Sequence, residues 1–67
     1  MELQINGRIE TLPDCISLSE LIGIHGIKQL DTLAVELNGE ILRREDFDNI
    51  RLKEHDKVEI ISLIGGG

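Results

Sequence analysis

The sequence is poor in cysteine, in basic residues and in long apolar runs. Its one cysteine, Cys15, cannot form an internal disulfide, whereas small secreted domains usually carry several. Seven Lys and Arg residues against 13 Asp and Glu give a net charge of −6, too little basic surface for phosphate contacts or an acidic membrane. No apolar stretch approaches the roughly 20 residues of a spanning helix, and no signal peptide is visible. We therefore expect a cytoplasmic protein without nucleic-acid or membrane partners.

The length and the apolar content favour one small globular domain. Sixty-seven residues allow a single domain, of which 40% are hydrophobic and spread along the chain. A chain this short buries only about 60% of its unfolded surface on folding. The sequence therefore predicts a domain of modest stability.

Three consecutive glycines, Gly65, Gly66 and Gly67, directly follow an apolar run that is typical of a buried strand. Glycine loses more conformational freedom than any other residue when it becomes ordered, so a strand that simply ends gains nothing from three of them. A thread without side chains can enter a narrow slot in a partner and present a terminal carboxylate there. We interpret Gly67 as a chemical handle, residues 65–67 as a flexible tail, and residues 1–64 as the folded domain.

The first half of the chain predicts a β-hairpin followed by a helix. Residues 2–6 and 8–12 alternate polar and apolar side chains around Asn6-Gly7, which suits a two-residue type I′ turn. Residues 17–20 match a capping box, in which Ser17 and Glu20 bond reciprocally at a helix start. Leu18, Leu21 and Ile22 form one helical face with His25 at the same spacing, and Gly26 is a fitting left-handed stop.

The second half predicts another hairpin and a final strand. Residues 33–37 and 40–42 flank the turn residues Asn38-Gly39, and the charged segment 43–48 is expected to form a surface turn or short helix pinned by Phe47. Residues 57–63 read as the last strand, with Val58 and Ile60 on one face. The order is strand, strand, helix, strand, strand, strand.

Three blocks of this sequence resemble the ThiS family, the small ubiquitin-like sulfur carriers of thiamin biosynthesis. They are SLSELI at 17–22, VELNGEILRREDF at 35–47, and DKVEII at 56–61 continuing through Ile64 to the glycines. Three positions depart from the pattern: Arg43 stands where proline is frequent, Phe47 where tryptophan is common, and His55 where a turn glycine is common. The resemblance covers nearly the whole chain.

The resemblance implies an α+β, β-grasp (ubiquitin-like) fold, a mixed sheet of about five strands crossed by one main helix, with the last strand parallel to the first in mid-sheet. It also implies a carrier that is not an enzyme and holds no cofactor. A ThiF-like adenylyltransferase would consume ATP to adenylate the Gly67 carboxylate, and a sulfur-donating persulfide enzyme would then supply sulfur. The resulting thiocarboxylate would donate sulfur to a ThiG-like thiazole synthase as the thiazole ring forms.

The tail and the last strand receive different roles, the tail from the resemblance and the strand from the alternation of its side chains. Gly65 and Gly66 would thread into the partner. Gly65 would serve as a spacer before Gly66 and Gly67, which are the reactive pair. If Val58 and Ile60 face the core, Ile61 and Leu63 are exposed, and with Ile64 they form a candidate docking surface.

Other chemistry-bearing residues receive structural interpretations. Cys15 lacks a second cysteine at CxxC spacing and is interpreted as a small buried filler. His25 and His55 are interpreted as a helix-end and a turn residue, and no metal site is expected. Glu45, Asp46 and Asp48 read as a solvated face, with Arg43 balancing these acids and the role of Arg44 open.

Two alternative functions stay open. The chain could be a carrier resembling the small subunit of molybdopterin synthase, which shares this fold and tail. It could also be a non-covalent ubiquitin-like interaction module, for which removal of Gly67 would be harmless.

Overall fold

The computed structural model describes residues 1–28 and 30–63, which form five strands, one α-helix and two short 3₁₀ helices. The N-terminal hairpin is β1 (Glu2–Ile5) and β2 (Arg8–Thr11), and the helix α1 spans Leu18–Ile24. The other strands are β3 (Leu33–Leu37), β4 (Glu40–Leu42) and β5 (Lys57–Ser62), and the 3₁₀ helices are Leu30–Thr32 and Arg44–Asn49.

The five strands make one mixed sheet in the order β2-β1-β5-β3-β4. β5 pairs parallel to β1 on one side and antiparallel to β3 on the other, with Ile5 opposite Val58 and Val35 opposite Ile60. This arrangement is the predicted one, with the last strand in the middle of the sheet. Because β1 and β3 do not pair with each other, β5 joins the two hairpins.

Both Asn-Gly turns do more than reverse the chain. Asn6 and Asn38 adopt φ values of +49° and +52°, and the glycines that follow them also have positive φ, as a type I′ turn requires. The Asn6 Oδ1 accepts a hydrogen bond of 2.7 Å from the Ile60 amide, and the Asn38 Oδ1 accepts one of 2.9 Å from the Lys57 amide. Each turn therefore holds the central strand through its asparagine side chain.

The helix begins and ends at the predicted residues. Ser17 is the N-cap, its hydroxyl accepting from the Glu20 amide at 3.1 Å while the Glu20 Oε1 accepts from the Ser17 amide at 2.9 Å. Hydrogen bonds from the Ser17 backbone and side chain to the Glu20 carboxyl lower its pKa, and the nearby Arg51 guanidinium lowers it further. His25 is the C-cap and is exposed, so the buried face ends before it, and Gly26 follows with a φ of +75°.

The core lies between α1 and one face of the sheet. Phe47, on the second 3₁₀ helix, is only 2% exposed and pins that segment against the core as predicted. Among the residues whose burial the structure describes, the buried apolar ones are Leu3, Ile5, Ile16, Leu18, Leu21, Ile22, Val35, Phe47, Leu52 and Val58.

The prediction that Cys15 is buried is wrong. Cys15 is exposed and has a φ of +62°, in the turn between β2 and α1. The next residue, Ile16, enters the core instead, and its carbonyl accepts from the Leu52 amide at 3.0 Å. A left-handed residue changes the direction of the chain, which sends the Cys15 side chain towards solvent.

Candidate functional site

The candidate site lies at the C-terminal end of the central strand. β5 ends at Ser62, and the Leu63 amide donates a hydrogen bond of 2.7 Å to the Thr32 carbonyl. Gly65, Gly66 and Gly67, together with Ile64, lie outside the described residues, so their assigned roles stay predictions. The described part of the site is the surface around the end of β5.

The sheet face that α1 does not cover is here called the outer face. On β5, Val58 is fully buried on the helix side, whereas Ile61 and Leu63 are 48% and 65% exposed on the outer face. Ile41 of β4, opposite Glu36 in the register, is 71% exposed on the same face. The expected exposure of Ile61 and Leu63 is confirmed, and large apolar side chains face solvent on this side of the sheet. Their role in docking stays a prediction.

Two carboxylates share the outer face with these apolar residues. Glu36 of β3 and Glu59 of β5 are directly opposite each other in the antiparallel register, and both are half-buried. Sequence reasoning assigned no function to Glu36 or Ile41. Alternation within β3 and β4 places both on the outer face, but only the register shows that Glu36 faces Glu59.

A groove of about 560 Å³ lies on the other side of β5, beside the C-terminal end of α1. Asn6, His25, Ile27 and Ile60 are among the residues that line it. The His25 Nε2 lies 3.0 Å from the Glu10 Oε1, which ties the helix end to β2. Because Ile60 belongs to the helix side of the strand and Ile61 to the outer face, this groove and the outer face are separate surfaces.

One group of side chains offers three possible metal ligands. The ligand atoms of Glu2, Glu54 and His55 lie within 4.8 Å of one another, and all three residues are exposed. The Glu54 Oε2 already accepts a hydrogen bond of 2.7 Å from the Glu2 amide. His55 lies in the turn before β5, as predicted, with a φ of +69° where the resemblance would place glycine. The expectation of no metal site stays a prediction.

The charged segment around Phe47 forms the solvated face that the sequence predicts. The Arg43 guanidinium lies 3.2 Å from the Glu45 carboxylate, so Arg43 balances a neighbouring acid as expected. Arg44 lies 3.8 Å from Asp31, and the Ser19 hydroxyl donates to Asp48.

Within residues 1–28 and 30–63, no helix is long and apolar enough to cross a membrane.

Comparisons with known proteins agree on one family. A family model described as the ThiS family matches residues 3–67. The crystal structure of a thiamine biosynthesis protein (ThiS) from Geobacter metallireducens is 38% identical, covers all of both chains and superposes with a TM-score of 0.86. This likeness confirms the predicted β-grasp fold.

Two curated relatives extend the comparison. The sulfur carrier protein ThiS of Bacillus subtilis is 29% identical over 66 residues, covering 97% of this chain and 98% of the relative. A thiazole synthase of Paramagnetospirillum magneticum is 33% identical over 67 residues, which is all of this chain. The chain spans only 20% of the length of that synthase, so the similarity concerns a carrier-sized segment of it.

Proposed function

The chain belongs to the ThiS family of sulfur carriers in thiamine biosynthesis, and we propose that it carries its sulfur as a thiocarboxylate on Gly67. The observation that carries this proposal is the family match, which extends from residue 3 through the glycines to residue 67. In this proposal residues 1–64 are a docking body and residues 65–67 a tail that threads into partners. The protein is a consumed and recharged cosubstrate in the cytoplasm, not an enzyme, and it binds no cofactor.

The chemistry must first turn a carboxylate into an electrophile. A ThiF-like adenylyltransferase joins the Gly67 carboxylate to the α-phosphate of ATP, and pyrophosphate leaves. The terminal sulfur of a persulfide on a donor enzyme attacks the Gly67 carbonyl, and AMP leaves with the former carboxylate oxygen. Two electrons from a thiol reductant then cleave the S–S bond, which leaves a thiocarboxylate on Gly67 and a thiol on the donor enzyme.

The loaded tail then meets a ThiG-like thiazole synthase, where the thiocarboxylate sulfur enters the thiazole ring. The match to a segment of a thiazole synthase supports a partner of this kind. The thiamine names of the relatives also favour this pathway over molybdopterin synthesis. Gly65 and Gly66 would lie extended in the partner because they carry no side chain that could block a narrow channel.

Docking would use the apolar end of β5. Ile61 and Leu63 point away from the core and, with Ile64, lead directly to the glycines. Burying these side chains against a partner would position the tail, and positioning of bound reactants is the main contribution that a carrier can make.

The chemical step is tested by intact mass after incubation with ATP, the adenylyltransferase and a persulfide donor. We expect a gain of about 16 Da, the difference between sulfur and oxygen, localised to Gly67. A semisynthetic chain that ends in a Gly67 carboxamide is the control and should show no gain. The same gain in the carboxamide chain, or none in the natural chain, would contradict the assignment of Gly67.

The docking surface is tested with Ile61→Asp, and Ile24→Asp is the matched control. Ile24 is 56% exposed at the end of α1, away from the outer face. We expect Ile61→Asp to weaken binding to the adenylyltransferase by about tenfold or more, because a carboxylate would be buried in an apolar contact. Ile24→Asp should bind as the natural chain does. If the natural chain, Ile61→Asp and Ile24→Asp are all folded and bind equally well, Ile61 is not part of the docking surface.

A further inference from the structure

The outer face contains a pair of like charges that the fold itself does not need. Glu36 and Glu59 are directly opposite each other on neighbouring strands, and like charges in this position destabilise a sheet. Within residues 1–28 and 30–63, neither carboxylate forms an ion pair with a basic side chain. Lys57 lies two residues along β5 on the same face and is not paired with Glu59. The free protein therefore holds two like charges opposite each other on neighbouring strands near the centre of its sheet.

Exposed apolar side chains flank this carboxylate pair on both sides. Ile41 is opposite Glu36 on β4, and Ile61 is two residues beyond Glu59 on β5. Both are exposed large apolar residues, at 71% and 48%. The four residues Ile41, Glu36, Glu59 and Ile61 are called the carboxylate patch. Local rules of sheet design are broken mostly at functional positions, which makes this patch a candidate interface.

We propose that the carboxylate patch binds an arginine of the thiazole synthase, with apolar groups around that arginine covering Ile41 and Ile61. Cross-strand neighbours have Cβ atoms about 4.5–5.5 Å apart, so one guanidinium can donate to both carboxylates. Arginine fits better than lysine because its planar fork bonds two acceptors at once and its charge is weakly hydrated. Binding would also relieve the repulsion between Glu36 and Glu59. This inference rests on the proposed function and names the chemistry of its partner.

The test is the double variant Glu36→Gln/Glu59→Gln, measured by calorimetry against the thiazole synthase of the same organism. Glutamine keeps the shape of glutamate, so removal of the repulsion should raise the thermal midpoint of the free chain. Binding should nevertheless weaken by about tenfold or more, because the charge-assisted hydrogen bonds are lost. A residue that only stabilised the fold would not move these two quantities in opposite directions.

The matched control is Glu40→Gln/Asp46→Asn, which changes the net charge by the same amount. Glu40 is opposite Leu37 and so lies off the outer face, and Asp46 is exposed on the second 3₁₀ helix. The control should bind within about twofold of the natural chain, since rim or distant charges affect mainly the association rate. Natural binding should also weaken with added salt more steeply than binding of the patch variant.

Two results would overturn the inference: unchanged binding by the patch variant, or equal weakening in the patch variant and the control. If the double variant does not fold, Glu59→Gln alone replaces it and should show the same two opposite changes. The mass gain on Gly67 requires no thiazole synthase, so it reports separately on the proposed function. A natural chain that gains the mass, together with a patch variant that binds the synthase as tightly as the natural chain does, contradicts only the carboxylate patch.

Discussion

Asn38 offers a direct test of how the two turns hold the central strand. Its Oδ1 accepts from the Lys57 amide at 2.9 Å, and its Nδ2 donates to the Asp56 Oδ1 at 3.0 Å. Its backbone is left-handed, with a φ of +52°. Asn38→Gly removes the two side-chain bonds and keeps a residue that accepts this conformation, whereas Asn38→Ala removes the bonds and adds strain.

The expected losses of stability follow from the two lost hydrogen bonds and from the backbone conformation at residue 38. Each hydrogen bond contributes about 0.5–1.5 kcal/mol net, and both lie at an exposed site, so their loss costs about 1–2 kcal/mol. A left-handed alanine costs about 1–2 kcal/mol more, while glycine adds about 0.5–1 kcal/mol through the freedom of the unfolded chain. Asn38→Ala should therefore be the less stable variant by about 0.5–1 kcal/mol. At ~0.05–0.15 kcal/mol per residue the whole domain holds only ~3–10 kcal/mol, so both losses are measurable.

The assay is urea unfolding followed by far-UV circular dichroism, because the chain has no tryptophan or tyrosine to report by fluorescence. The midpoint should fall in the order natural chain, Asn38→Gly, Asn38→Ala, with an unchanged m-value. In a thermal scan each kcal/mol corresponds to about 4–8 °C for a domain of this size. An Asn38→Gly variant as stable as the natural chain would refute the contribution of the side-chain bonds. An Asn38→Ala variant at least as stable as Asn38→Gly would refute the argument from backbone strain.

Three further outcomes are expected. Phe47→Ala should cost about 3–5 kcal/mol, since the ring is 2% exposed, and should leave a largely unfolded chain by one-dimensional NMR. The lowered pKa of Glu20 stabilises the fold above the ordinary value of 4.5 and loses this effect as the pH falls through the folded value. The stability gap between the natural chain and Glu20→Ala should therefore shrink below pH 4.5, and a gap that stayed constant down to strong acid would contradict the link to the Ser17 bonds. His55→Gly should raise the thermal midpoint, because His55 has a left-handed backbone. Removing the strain of a left-handed side-chain-bearing residue stabilises the fold by about 1–2 kcal/mol, which exceeds the cost of about 0.5–1 kcal/mol for the greater freedom of the unfolded chain. A lower midpoint would show that His55 makes a compensating contact.

Local signals in the sequence predicted the elements well. The Asn-Gly pairs and the capping box at Ser17 each specify a backbone geometry from neighbouring residues alone, and all three appear where expected. The parallel pairing of β1 with β5 was predicted from the order of the elements and strengthened by the family resemblance, because residues far apart in sequence give no local sign of their pairing.

The errors and omissions share one cause, which is that they depend on tertiary geometry. Cys15 looked like a core filler by residue type, but the left-handed turn gives the buried position to Ile16. The bonds from Asn6 and Asn38 to β5, and the register that places Glu36 against Glu59, require knowledge of how distant strands align. The predicted reactive group on Gly67 needs no such knowledge, since the sequence places it next to the final strand.

The central position of β5 also determines how the domain would respond to a pulling force. The chain leaves this strand in the direction of the glycines, so tension from a partner acts along the strand axis. Neighbours on both sides, β1 at two paired positions and β3 at five, would then be loaded in shear, and their hydrogen bonds would have to break together. An edge strand such as β2 or β4 would instead peel away one bond at a time. A partner that pulls on the last residues of the chain could therefore hold the domain against the partner's surface without unfolding the domain.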